Sequence, residues 1–101
     1  MIEVRRIGEG DPLAFDVVVR EGKGETRHKV TMASAVYERL ARGKHAPERV
    51  IEAAFSFLLD REPKESILGR FDVTVISRYF PEFERELTKY LTADDRRQRT
   101  D

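Results

Sequence analysis

The sequence predicts an α+β fold in which a three-stranded antiparallel meander, residues 2–32, is covered on one face by three to four helices. The first third of the chain alternates apolar and polar residues with a period of two, and glycine-containing turns separate its segments. After residue 33, apolar residues recur every three or four positions, which is the helical period. A chain of 101 residues is long enough for one such domain and too short for two.

Three segments account for the predicted strands. MIEVRRI alternates less regularly than LAFDVVVRE, which places Leu13, Phe15, Val17 and Val19 on one face. The short loop GKGE favours a hairpin connection to TRHKVTM. In this third strand Arg27, Lys29 and Thr31 share one face, so only the opposite face can contribute to a core.

Two helices are predicted next, over residues 34–42 and 47–61. Ser34 is a favourable N-cap for the first, and Gly43 is placed to end it. Pro47 suits the first position of the second helix, whose middle is apolar on nearly every side. This composition predicts that the second helix is central and mostly buried.

The segment from Asp72 to Leu91 favours helix over strand. Its β-branched residues match a strand by propensity, but one apolar stripe keeps the helical spacing throughout. The members of the stripe are Val73, Ile76, Phe80, Phe83, Leu87 and Tyr90. Pro81 interrupts a continuous helix, so we predict two helices, residues 72–80 and 81–91, with Asp72 capping the first. One domain over residues 1–92 and a disordered tail over residues 93–101 complete the prediction.

Composition excludes several classes of protein. The 40% of hydrophobic and 38% of charged residues are typical of a globular domain with a highly charged surface. Without cysteine, the chain has no thiol nucleophile, disulfide or zinc–thiolate site. No apolar run is long enough to cross a membrane, and the first residues do not resemble a secretory signal. We therefore expect a cytoplasmic protein without a membrane partner.

Residues that carry chemistry are few. His28 and His45 are seventeen positions apart, which is not a metal-ligand spacing, and the strand pattern favours a hydrogen-bonded His28 at the edge of the core. No serine lies in a nucleophile-elbow motif. The acidic group Asp60, Glu62 and Glu65 alternates with basic residues, which is typical of a solvated helix end. The sequence predicts no catalytic residue, no metal and no cofactor.

The charges are unevenly distributed although the formal net charge is zero. Residues 27–49 carry six bases and two acids, whereas residues 50–95 carry six bases and ten acids. A basic block beside an acidic one either steers an anionic partner, or holds two protomers or two elements of the fold together, or forms ordinary solvated faces. The candidate contact residues are Arg27, Lys29, Thr31, Arg42 and Lys44.

Two resemblances bear on function. Residues 27–62, RHKVTMASAVYERLARGKHAPERVIEAAFSFLLDRE, resemble the ribbon-helix-helix family of DNA-binding proteins, in which a paired strand enters the major groove. The resemblance implies that Arg27, Lys29 and Thr31 face the DNA and that the loop RGKHAP lies near a phosphate. It departs from the family in the two strands that precede the ribbon and in Ala46, which cannot cap a helix by its side chain. The whole chain resembles a family of small bacterial proteins of unknown function, which implies no activity.

From these observations we expect a small non-catalytic binding or regulatory module whose partner is another protein or a second copy. The alternative is a ribbon-helix-helix regulator that binds DNA through strand 27–32, and a small enzyme without a recognisable motif is third. Two features separate these hypotheses: whether strand 27–32 pairs within its own chain, and whether a pocket gathers convergent polar groups.

Overall fold

A computed structural model describes residues 1–99, and the side chains of residues 1–92. Four strands and four helices alternate with short turns, and a 3₁₀ turn, Lys64–Ser66, follows the second helix. The strands are β1 Ile2–Gly8, β2 Leu13–Glu21, β3 Gly24–Met32 and β4 Arg70–Asp72. The helices are α1 Ser34–Ala41, α2 Pro47–Leu59, α3 Val75–Tyr79 and α4 Phe83–Arg99.

The sheet confirms the α+β class and the meander, and it adds one strand to the prediction. Its order is β1-β2-β3-β4, with antiparallel pairing from β1 to β3. The fourth strand lies parallel to β3, with Lys29 opposite Arg70 and Thr31 opposite Asp72. The predicted three-stranded meander is therefore confirmed, and the fourth strand is an addition that was not predicted. A strand of three residues is too short to show alternation, and its pairing depends on contacts with a distant segment.

The helix boundaries refine the predictions for residues 72–91. Asp72 ends β4, and α3 begins only at Val75, so the predicted helix 72–80 is shortened at both ends. The carboxylate of Asp72 accepts hydrogen bonds from the backbone and hydroxyl of Thr74, at 3.1 and 2.6 Å, in the turn that precedes α3. Pro81 lies between α3 and α4, which confirms the predicted break.

The start of α1 differs slightly from the prediction. Ser34 is its first helical residue, and Ala33 occupies the N-cap position without a side-chain bond. The backbone N–H of Ser34 donates instead to Asp11 at 2.9 Å, so a residue from the β1–β2 loop satisfies a free amide of this helix. The helix ends where Arg42 and Gly43 have positive φ, and Gly43 adopts this conformation without steric cost.

The core lies between the inner face of the sheet and the helices. The prediction that α2 is central is confirmed, because most of its side chains are buried against the sheet, α1 and α4. The largest fully buried side chains are Phe15, Phe55, Phe57, Phe83, Met32, Ile51 and Leu87. Among the described residues, the outer face of the sheet is open to solvent, since its side chains are exposed on β1, mostly exposed on β3 and mostly half-buried on β2.

Within residues 1–99, no helix is both long enough and apolar enough to cross a membrane. The predicted disordered tail begins at residue 93, but the backbone of residues 93–99 continues α4. The side chains of residues 93–99 and the whole of residues 100–101 lie outside the part of the chain that the structure describes.

Candidate functional site

The predicted contact residues of β3 lie on the open outer face of the sheet. Arg27 and Lys29 are exposed, and Thr31 is half-buried. One row across all four strands contains Arg5, Asp16, Lys29 and Arg70, each opposite the next. The pleat argument thus placed the three β3 side chains on a common face correctly.

Thr31 is engaged within the chain. Its hydroxyl donates to the carboxylate of Asp72 at 2.6 Å and thereby ties β4 to β3. Burial opposes ionisation of Asp72, but the hydrogen bonds from Thr31 and Thr74 outweigh it and hold the pKa of this carboxyl below its usual value. Thr31 therefore has a structural contact, whereas Arg27 and Lys29 extend into solvent.

Arg42 and Lys44 are not brought together with the β3 residues. Both are exposed in the connection between α1 and α2, which belongs to the helical layer on the other side of the sheet. The five candidate contact residues therefore form two separate groups. A single surface that uses all of them is not present.

The outer face carries balanced charge. Arg20 makes ion pairs with Glu3 and Glu25, and Arg27 pairs with Glu25 at 2.8 Å. A shallow cavity of about 390 Å³ lies where β4 begins, and it is lined by the side chains of Arg27, Lys29 and Arg70 together with Asp16. The acids reduce the positive potential of this face, so its attraction for phosphate is weaker than the basic segment alone predicts.

Strand β3 is fully paired within its own chain on one side. All of its residues face β2, and residues 29–31 also face β4. A two-stranded ribbon between protomers would have to displace β4. Intrachain pairing is the arrangement expected of a meander strand, and DNA binding through residues 27–32 stays a prediction.

His28 has the structural position that its strand pattern predicts. It is buried, its Nδ1 lies 2.7 Å from the carbonyl oxygen of Leu68, and its Nε2 lies 2.9 Å from the hydroxyl of Thr26. Its ring packs against Phe55, with the ring centroids 5.2 Å apart. These contacts join β3 to the segment before β4.

A second cavity, of about 260 Å³, has a mostly apolar lining. We call it the α3 cleft, because α3 forms one wall and the end of α2 with the segment before β4 forms the other. Its floor contains the buried Leu58, Ile67 and Ile76, and its rim the exposed Leu68 and Tyr79. The full lining is Leu58, Glu62, Ser66, Ile67, Leu68, Phe71, Val75, Ile76, Tyr79 and Phe80.

Glu62 is the acidic group of the α3 cleft. Partial burial raises the pKa of its carboxyl, and within the described residues this side chain makes no hydrogen bond or ion pair. The two other acids of the predicted solvated helix end are engaged, since Asp60 accepts from the hydroxyl of Tyr90 and Glu65 pairs with Lys64. Glu62 alone therefore faces the cleft without a partner of its own among residues 1–92.

Sequence reasoning missed the α3 cleft. Leu68, at the rim of this cleft, is 48% exposed, and no sequence pattern had identified it as a surface residue. Tyr79 lies outside the apolar stripe of its segment, and this position in the sequence could have indicated an aromatic side chain at the surface. In the structure Tyr79 is 69% exposed. The remaining walls come from segments that meet only after folding.

Comparison of the chain with protein-family models, with curated proteins and with solved structures finds no match. Among the described residues, no group of three or more histidine, aspartate or glutamate side chains is arranged to hold a metal ion.

Proposed function

We propose that the protein is a non-catalytic binding module of the cytoplasm, and that the α3 cleft receives an apolar side chain of a partner protein next to a lysine or arginine. The observation that carries this proposal is an apolar cleft whose only carboxylate, Glu62, has no partner among the described residues. Apolar pockets with a few convergent polar groups are the usual form of binding sites.

The dimensions of the cleft favour a peptide segment over a complete small molecule. Its 260 Å³ lie below the roughly 300–1,000 Å³ of sites that enclose drug-sized ligands. One or two side chains can fill this volume while the rest of a segment lies across the rim. The exposed rim residue Tyr79 belongs to a residue type enriched at the energetic centres of protein interfaces.

The charge of Glu62 determines which kind of peptide segment the α3 cleft can bind. A cation placed beside the half-buried Glu62 stabilises its ionised form and offsets the effect of burial. An acidic segment would be repelled at the same position. The expected ligand therefore has a large apolar residue flanked by a basic one.

Selection from a displayed library of random peptides tests this proposal. We expect the wild-type chain to enrich peptides with an apolar–basic pair, and Leu68→Ser with Tyr79→Ser to abolish the enrichment. Glu62→Gln should remove only the preference for the basic residue. Ile7→Ser changes another exposed apolar side chain, on β1, and serves as the matched control.

The pH dependence of one selected peptide provides a second readout. Affinity should rise as the pH increases through the raised pKa of Glu62, because the ionised carboxylate attracts the basic residue, and Glu62→Gln should lose this dependence. Enrichment that survives the rim substitutions, or an absence of any enriched peptide, would contradict the proposal.

The outer sheet face supports a second candidate, in which Arg27 and Lys29 contact nucleic acid. The observation that favours it is the concavity where these residues meet Arg70. Titration of labelled duplex at low salt should then show binding that weakens steeply with salt and is lost in Arg27→Ala with Lys29→Ala. Arg42→Ala with Lys44→Ala is the matched control in the other layer. Binding that is absent, or equally reduced by the control pair, would exclude this candidate.

A further inference from the structure

Strand β1 is an open edge of the sheet. It has seven residues, and β2 is its only neighbour in the strand order. The N–H of Arg20 donates to the carbonyl of Met1 at 2.8 Å, so the backbone groups of the odd-numbered residues face β2. By antiparallel alternation, those of Ile2, Val4 and Arg6 point away from the sheet. An unpaired row of this kind is a template for another strand.

We propose that β1 pairs antiparallel with β1 of a second copy of the chain, in the register that places Val4 opposite the partner's Val4. Residues whose backbone groups point away from β2 then lie opposite one another, with Val4 opposite Val4 and Ile2 opposite the partner's Arg6. Each of these pairs exchanges two backbone hydrogen bonds. The contact is the same on both chains, as two-fold symmetry requires.

The side chains of the outer face favour this register. Glu3 lies opposite the partner's Arg5, in the closely spaced position where cross-strand side chains interact most. Symmetry repeats this pair, so two opposite-charge contacts form, and in each of them Glu3 binds the partner's Arg5 in addition to Arg20 of its own chain. Arg5 is available for them, because it makes no ion pair or side-chain hydrogen bond within the described residues.

Two exposed apolar side chains meet in the same register. Met1 is 75% exposed and Ile7 is 43% exposed, and both lie on the outer face with Glu3 and Arg5. With Val4 opposite its copy, Met1 comes near the partner's Ile7, which lies at the bulge where the regular pairing of β1 ends. The pairing therefore covers two of the four large hydrophobic side chains that are exposed among the described residues.

The neighbouring registers are disfavoured by like charges. A shift of two residues in one direction places Glu3 opposite the partner's Glu3. A shift in the other direction places Arg5 opposite the partner's Arg5. Like charges directly opposite each other destabilise a sheet, so only one register satisfies both the backbone and the charges.

Charge exchange between two variants is the sharpest test, measured by sedimentation equilibrium from micromolar to millimolar concentration. We expect wild type to form dimers reversibly, because an interface of one strand pair belongs to the small, weak class. Glu3→Arg alone and Arg5→Glu alone should each weaken self-association about tenfold, since both repeated ion pairs become repulsive. The two variants, when mixed, should bind each other as tightly as wild-type chains bind each other, because both opposite-charge contacts are restored in the mixed dimer.

A backbone variant and a charge control complete the experiment. Val4→Pro removes an N–H that β2 does not use, so the fold should survive while dimers are lost. Arg70→Glu makes the same charge change at the opposite edge and should leave dimerisation unchanged. A wild-type chain that stays monomeric at millimolar concentration would overturn the proposal, as would dimers that Val4→Pro leaves intact. Failure of the mixed variants to associate would exclude this register.

Discussion

β1 and β4 both lie at an edge of the same sheet, but they leave very different surfaces to solvent. β1 presents a run of seven residues with one neighbour, whereas β4 has only three residues. Beside β4, the 3₁₀ turn brings the buried side chain of Lys64 onto the inner face of β3. A Cβ atom at Gly24 would lie 2.9 Å from the Nζ of Lys64.

The difference shows how a small sheet can disfavour the addition of a strand at one edge and allow it at the other. Short edge strands and β-bulges are ordinary devices against unwanted strand addition. The β4 edge is short, whereas β1 is seven residues long and has only a bulge at Ile7 near its end. Measurements on the two edges can therefore test the contrast directly.

Amide hydrogen exchange should give the largest difference. At concentrations where the chain is monomeric, the outward amides of Ile2, Val4 and Arg6 should exchange faster than those of Lys29 and Val73 by on the order of a hundredfold or more, because only the latter two donate within the sheet. NMR would resolve the individual residues. Equal protection of the two groups at low concentration would mean that the β1 edge is already covered.

Phe55→Ala should remove the packing beneath β3 and β4. Phe55 is fully buried and packs against His28 at 5.2 Å and Phe71 at 6.0 Å between ring centroids. We expect a loss of about 3–5 kcal/mol in the free energy of unfolding, from lost burial and the cavity that remains. Denaturant melts measure it. Ile2→Ala at the half-buried open edge is the control and should cost less, and a smaller loss for Phe55→Ala would contradict the described packing.

Thr31→Val should loosen β4 in a pH-dependent way. Removing the hydroxyl takes away one bond to Asp72 and should cost about 1–2 kcal/mol near neutral pH. Because the folded-state pKa of Asp72 is lowered, its contribution is present above the unfolded pKa of about 3.9 and is lost as the pH falls through the folded value. The difference between wild type and Thr31→Val should therefore shrink in acid, and melts over a pH series would show it. A difference in stability that is constant with pH would exclude a hydrogen bond from Thr31 to the ionised carboxylate of Asp72.

Lys64→Ala should have the smallest effect on stability. Its partner Glu65 is largely exposed, with a side-chain exposure of 65%, so the ion pair contributes less than about 1 kcal/mol. The substitution should instead uncover the inner face of β3 at Gly24. We expect increased light scattering on prolonged storage with an almost unchanged melting temperature. Glu65→Ala removes the same ion pair without uncovering Gly24, and equal scattering from both variants would contradict the covering role.

The sequence predicted those parts of the fold that depend on local pattern. Strand β2 alternates cleanly, and its odd residues from Leu13 to Val19 are buried as expected. The apolar middle of α2 identified the central helix, and Pro81 identified a break. In each case a single segment contains the signal, because side-chain direction follows from the backbone period.

The parts that were missed depend on distant segments. β4 exists because Asp72 meets Thr31 and because the N–H of Val73 donates to the carbonyl of Thr31 at 2.9 Å. The α3 cleft forms where α2, the 3₁₀ turn and α3 converge, and no local pattern records this convergence. Of the predicted contact residues, the shared face of Arg27 and Lys29 followed from the pleat, whereas the separation of Arg42 and Lys44 from them required the tertiary arrangement.

The short length of β4 also limits how many chains can join. A sheet with two long open edges can add strands at both sides and grow without end. Here β4 offers only three residues to a further strand, so β1 is the one long open edge among residues 1–99. Pairing at β1 uses that edge, and the joined sheet then presents only the short β4 edges to further copies. Raising the protein concentration should therefore lead to a plateau in particle size, at twice the mass of the chain.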